Sequence, residues 1–179
     1  MLHEKMIKTL NEQIALEAHS SFVYLAMAAW CDQQGLKGCA DFFYTQSEEE
    51  RVHMLKIVHY LSEMDTRPHI PAVPQPPVDF DSIQVVFKKV YEQEQHITAA
   101  IFKLLTLCQE LHDHSTNNFL QWYITEQREE ESLVRSILDK IRLIGEGGQS
   151  LYYIDKELDK INKARAAAPA DAADAEPAL

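Results

Sequence analysis

The stretch Ser47-Glu48-Glu49-Glu50-Arg51-Val52-His53 sets Glu50 and His53 three residues apart in an apolar, helix-periodic segment, so one helix face offers a carboxylate beside an imidazole. Glu17 lies 33 residues before Glu50, and Glu94, Gln127 and Glu130 lie 77 residues after Glu17, Glu50 and His53 in turn. Glu126 repeats Glu49 at the same 77-residue offset. The repeat is confined to chemistry-bearing positions. It is the pattern of two helical hairpins facing each other across one metal centre.

A carboxylate in a bundle core needs a compensating charge, because an unpaired one costs several kcal/mol or gives up its charge. Lysine or arginine would serve, yet neither occurs in the apolar seams of the four long helices. Glu17 and His53 lie about 18 residues from the first interhelix turn, and Glu94 and Glu130 about 18 from the second, which sets them at one height with Glu50 and Gln127 a turn away. Two divalent cations would cancel the charges of Glu17, Glu50, Glu94 and Glu130, so charge balance points to a dinuclear site. One imidazole among carboxylates suits iron or manganese better than copper, leaves zinc as a competitor, and disfavours calcium and magnesium. A single buried Glu or His is ordinarily a hydrogen-bonded core residue; the coincidence of the whole set on one layer favours ligation.

Apolar periodicity defines the elements that must position these residues. A first helix from about Glu4 to Gln33 carries the seam Ile7, Leu10, Ile14, Glu17, Ser21, Tyr24 and Ala28. Gln34 to Gly38 reads as a short turn, which makes the second helix antiparallel to the first. That helix runs to about Met64 on Ala40, Phe43, Ser47, Glu50, Met54, Ile57 and Leu61, with His53 beside the seam. Pro68, Pro71, Pro74, Pro76 and Pro77 exclude helix between Asp65 and Phe80. At ~3.1 Å per residue this segment reaches ~45 Å, enough to return along a helix of ~40 Å and leave the second and third helices parallel. The third helix, Ser82 to Leu111, has Ile83, Val86, Val90, Glu94, Ile97, Ile101, Leu104 and Cys108 inward. Asp113 or Ser115 can cap a fourth helix from about Thr116 to Ile144, with Leu120, Tyr123, Gln127, Glu130, Val134, Ile137 and Ile141 inward.

After Gly145-Glu146-Gly147-Gly148 comes a short fifth helix, Gln149 to about Lys163, striped by Leu151, Ile154, Leu158 and Ile161. The bundle is complete without it, so the stripe suggests burial against other subunits, with docking on its own bundle as the alternative. Residues 164–179 are rich in Ala, Asp and Pro and are expected to be a disordered tail. The expectation is one all-α domain over 1–163: a four-helix bundle with one long crossover between its second and third helices, plus a short fifth helix.

A formal charge of -11 disfavours nucleic acid and anionic membranes as partners and favours cations. Cys31, Cys39 and Cys108 form no CxxC pair and read as reduced core thiols. Met1-Leu2-His3-Glu4-Lys5 lacks the charged-then-apolar order of a secretion signal, and the apolar run Phe22 to Cys31 is too short to span a bilayer. A cytoplasmic chain is expected.

At these residues the sequence resembles the ferritins, and most closely the haem-free bacterial ferritins, over roughly residues 1 to 163. Glu17, Tyr24, Glu49, Glu50, His53, Glu94, Glu126, Gln127, Glu129 and Glu130 all fall on that family's pattern. The resemblance implies a ferritin-like bundle with a ferroxidase centre: Glu17, Glu50 and His53 hold one iron, Glu50 bridges, and Glu94 and Glu130 hold the second. It further implies that Gln127 hydrogen-bonds near the oxygen-binding side, that Glu49, Glu126 and Glu129 with Glu130 form an adjacent third iron site, and that the chain assembles as a homo-oligomer, a 24-mer. Without the family match, the acidic runs at Glu48 to Glu50 and Glu129 to Glu131 would serve as well as a solvated face. Tyr24, two turns after Glu17, is placed to hydrogen-bond a ligand or donate an electron, or to be plain core. Bacterioferritins carry a haem-ligating Met where this chain has Arg51, and His where it has Glu130, so no haem is expected. Rubrerythrins add a cysteine-ligated iron module whose CxxC pairs are missing here, and catalytically silent animal ferritin chains lose ligands that this chain keeps.

The expected activity is iron storage: Fe(II) oxidised to Fe(III) by dioxygen or hydrogen peroxide, then deposited as mineral in a hollow shell. A soluble di-iron oxidase or peroxidase acting on a small substrate is the alternative, and a scaffold whose polar layer merely fixes register is a third reading.

Overall fold

In the computed structural model, which describes residues 2–167, α1 spans Glu4–Gln33, α2 Lys37–Glu63, α3 Ile83–Leu111, α4 His114–Phe119, α5 Gln121–Ile144 and α6 Ser150–Ala167. The described residues contain no strand. Local chemistry starts each helix where it starts. The His3 Nδ1 accepts from the Lys5 amide at 3.2 Å, Ser82 Oγ accepts from the Val85 amide at 3.2 Å, and Asp113 Oδ1 accepts from the Thr116 amide at 2.9 Å. His112 closes α3 in the left-handed region, and Asp113 is the cap that follows.

Two apolar clusters define the topology. One gathers the C-terminal half of α1 (Tyr24, Met27, Cys31), the N-terminal half of α2 (Phe42, Phe43), the start of α3 (Val86, Phe87) and the end of α5 (Ile137, Ile141). The other gathers Met6 and Leu10, Ile57 and Leu61, Leu104 and Cys108, and Leu120 and Tyr123. Hence α1 and α2 are antiparallel, α2 and α3 parallel, and α3 and α5 antiparallel, which is the one-crossover bundle. Residues 66–80 carry no helix, as the prolines require. Reciprocal bonds lace α1 to α2, Ser21 Oγ donating to Ser47 O at 2.7 Å and Ser47 Oγ to Ser21 O at 2.8 Å. By composition α1 is long and apolar enough to cross a bilayer, but its apolar face is spent on this core.

Every seam position expected on α3 and in the fourth helix is buried. The first two seams drift by one residue. Met6 is buried rather than Ile7, and His53 rather than Met54, because 3.6 residues per turn does not keep a strict seven-residue stripe in one place. The fourth helix is jointed at Leu120 into α4 and α5. The fifth helix divides its stripe. Its Ile154 and Leu158 are buried on the chain's own bundle, against the cluster that contains Cys31, Cys39 and Ile141, as the docking alternative has it, while Leu151 of the same stripe is exposed. It also runs to Ala167, past Lys163; the rest of the expected disordered tail, 168–179, lies outside the described residues.

Gly38 explains how α6 can dock. The glycine, expected in a turn, is the second residue of α2, and a Cβ there would overlap the Asp155 carbonyl and lie 2.9 Å from the Asp159 amide nitrogen. The Cys39 amide donates to Asp155 Oδ1 at 3.0 Å across this crossing, and Lys140 pairs with Glu157. Gly38→Ala should therefore lift α6 away, at a cost of about 1–3 kcal/mol in overpacking. Hydrogen exchange over 150–167 should accelerate; unchanged protection there would contradict this crossing.

Candidate metal centre

Between the two apolar clusters lies a polar layer that all four long helices supply. Glu17 from α1, Glu50 and His53 from α2, Glu94 from α3, and Gln127 and Glu130 from α5 are each less than 5% exposed. Single ligand atoms of Glu17, Glu50 and His53 lie within 4.8 Å of one another. Glu17 Oε1 accepts from Gln13 Nε2 at 2.8 Å, while Glu17 Oε2 and Glu50 Oε2 are buried without a hydrogen-bond partner. His53 Nδ1 stands 3.5 Å from Glu50 Oε2, and its Nε2 stands 3.7 Å from Glu126 Oε1. Orphaned carboxylate oxygens in a dry core are costly, and a cation shared with the imidazole is the group that would satisfy them.

The remaining two carboxylates are held by neighbours. The Tyr24 hydroxyl donates to Glu94 Oε1, and Gln127 Nε2 donates to Glu94 Oε2 at 3.1 Å. Glu130 Oε2 accepts from Gln46 Nε2 at 3.3 Å, and its Oε1 accepts from Arg165 at 3.3 Å. The Tyr123 hydroxyl donates to the His53 carbonyl at 2.6 Å and Trp122 packs edge-on against the imidazole, so α5 fixes the height of that turn of α2. A cleft of about 570 Å³, lined by Glu48, Glu49, His53, Trp122 and Glu126 among others, opens onto the imidazole from the surface.

Burial and mutual charge set the electrostatics of this layer. Burial drives the Glu17 and Glu50 carboxyls well above the usual range, and the Glu50 charge pushes Glu17 further, as the Glu94 charge pushes Glu50. Burial also raises Glu94, against the bonds from Tyr24 and Gln127 that favour its charge. Glu130 is pushed by burial to about 7, although the Arg165 guanidinium pulls the other way. Burial alone would pull His53 down, but the contact with Glu126 and the charge of Glu17 outweigh it and hold the imidazolium above its ordinary value. Each of these shifts is in the direction that a bound cation would oppose. None of the described buried residues is Lys or Arg.

The residues expected from spacing thus gather, and of those that the resemblance adds one stands apart. Glu49 is half-buried beside Gln46, and Glu126 reaches His53, but Glu129 is exposed and forms no hydrogen bond or ion pair among the described residues. Spacing marks neither Gln13, Gln46 nor Arg165, and it gives Tyr123 only as an inward residue of the seam. Gln46 was findable: it follows Gln13 by 33 residues, the interval that separates Glu50 from Glu17.

A one-crossover four-helix bundle with a layer of Glu, His and Gln at mid-height is the architecture of the carboxylate-rich metal-binding bundles. Residues 7–144 match the family described as Ferritin, ferritin-like domain. A probable bacterial non-heme ferritin-like protein of Haemophilus influenzae is 44% identical over 162 residues, covering 90% of this chain and 98% of that protein. The bacterial non-heme ferritin of Campylobacter jejuni is 43% identical over 165 residues, covering 92% and 99%. Among solved structures, an open pore ferritin from Archaeoglobus fulgidus superposes with a TM-score of 0.86 at 41% identity, covering 89% of this chain and 98% of that one. The chain belongs to the ferritin family.

Proposed function

We propose that this chain is an iron-storage ferritin that oxidises Fe(II) to Fe(III) at its own mid-bundle centre and passes the product to a mineral held inside a homo-oligomeric shell. The observation that carries this reading is the pair of orphaned, buried oxygens on Glu17 and Glu50, gathered with the His53 imidazole. Glu17, Glu50 and His53 would hold one Fe(II), Glu50 would bridge, and Glu94 and Glu130 would hold the second. Iron is the substrate as well as the cargo. Each ion gives up one electron, and dioxygen accepts two electrons and two protons to leave as hydrogen peroxide; if peroxide is the oxidant, its O–O bond breaks and the same electrons and protons yield two waters.

The protein's own part is positional. Gln13 orients Glu17, Tyr24 and Gln127 orient Glu94, and Gln46 orients Glu130, so the carboxylates are presented before metal arrives. Tyr24, bonded to Glu94, is also placed to supply an electron. Glu49 and Glu126, with Glu130, form the third iron position, and Glu129 would have to turn inward to join them. Buried thiols support a reducing, cytoplasmic setting: burial pushes Cys31 up to about 12 and raises Cys39 as well, so neither is activated. Membership of the family supports a 24-mer.

The alternative, a di-iron oxidase of a small substrate, parts from this reading in one experiment. Sedimentation velocity after aerobic Fe(II) loading should show iron far beyond two or three ions per chain moving with a large particle. Iron limited to that stoichiometry on a small oligomer would overturn storage.

A further inference from the structure

Arg165, near the end of α6, lies across the ligand set from outside the bundle. Its Nη1 donates to Gln46 Oε1 at 2.8 Å, and its Nη2 donates to Glu49 Oε2 at 2.9 Å, to Glu49 Oε1 at 3.1 Å and to Glu130 Oε1 at 3.3 Å. Gln46 closes the ring, its Nε2 donating to Glu49 Oε2 at 2.9 Å and to Glu130 Oε2 at 3.3 Å. A guanidinium held by two carboxylates and an amide occupies the place that a bound cation between Glu49 and Glu130 would take. It stays attached to the chain. The buried Ile154 and Leu158, and the close crossing at Gly38, set α6 in the register that delivers it.

We propose that Arg165 is a tethered cation that competes with metal for the Glu49–Glu130 position, so that a cation enters there only as the end of α6 withdraws. This rests on the reading of Glu49 and Glu130 as ligands of the third ion. Two consequences follow from charge and space. The third position binds more weakly than the Glu17–Glu50–His53 position, because affinity is reduced by the fraction of molecules in which Arg165 has let go. Metal binding there also loosens α6, since a divalent ion and a guanidinium on the same oxygens repel one another. The helix end therefore responds to the loading state of the centre.

The test uses the assembled full chain and zinc, a redox-inert divalent ion, titrated by calorimetry, with hydrogen exchange over 159–167 followed in parallel. Arg165→Gln should tighten the weakest class of zinc sites by about tenfold, and Arg165→Lys should restore much of the competition. In the wild type, zinc should accelerate exchange at the end of α6; in Arg165→Gln exchange should be fast before zinc and unchanged after. Glu49→Gln separates the two ideas. If it abolishes the weakest class while Arg165→Gln leaves that class and its exchange as in the wild type, the role of Arg165 is overturned and the third position stands. If Glu49→Gln leaves the zinc isotherm as in the wild type, the third position is overturned and the competition falls with it.

Discussion

Glu50→Ala should slow rapid Fe(II) oxidation by roughly 100-fold or more, because removing even a residue that merely orients a ligand costs about 10–100-fold and Glu50 is assigned to both ions. Its side chain lies at the centre of the layer, with one oxygen against the imidazole and without a hydrogen-bond partner. Folding and assembly should survive. The change leaves a small cavity, but it also removes a buried carboxyl that the Glu94, Glu130 and Glu49 charges disfavour, so the two effects oppose each other. Stopped-flow oxidation and sedimentation of the same preparation check both halves. Equal oxidation rates in variant and wild type would remove Glu50 from the centre.

The metal-free protein should lose stability as pH rises from about 5 to about 7.5, by about 2 kcal/mol from Glu130 alone. Glu130 titrates near 7 in the folded chain against an ordinary value of 4.5, so across that window the native state holds a proton that the unfolded chain has released. Stability therefore falls with increasing pH, at up to about 1.4 kcal/mol per unit. His53, raised as well, acts in the same direction: its contribution is present at low pH and is lost as pH rises through its folded value. Divalent metal reverses the trend, because it binds the deprotonated ligands and replaces the protons; zinc at about 100 times its dissociation constant adds about 2.7 kcal/mol. Denaturant melts at fixed protein concentration, with chelator or zinc, measure this directly. A chelated protein that grows more stable between pH 5 and 7.5 would contradict the buried, proton-balanced layer.

Much of the centre was legible because the signals were local. Glu17, Glu50, Glu94, Gln127 and Glu130 occupy positions where helical periodicity demands an apolar side chain, and all are buried. A run of prolines long enough to return along the bundle sets the crossover independently of any tertiary contact. His53 stood one place off its seam by counting and is inward in fact, since a real helix drifts from a strict heptad. Glu129 shows the limit of motif matching. It follows the family's spacing and is exposed, whereas Glu49 and Glu126, each also one position before a residue of the layer, are half-buried.

Periodicity, proline placement and the charge ledger of the seams determined, from the chain alone, a one-crossover helical bundle with a carboxylate-rich layer at mid-height. These properties reside in residues three to four apart, which any helix brings together regardless of its partners. Only the tertiary structure decided where α6 lies, that Gly38 is a helix crossing and not a turn, and that Arg165 sits on Glu49 and Glu130. Those facts depend on how the surfaces of segments 35 to 116 residues apart fit each other, and no local repeat encodes the complementarity of two distant faces.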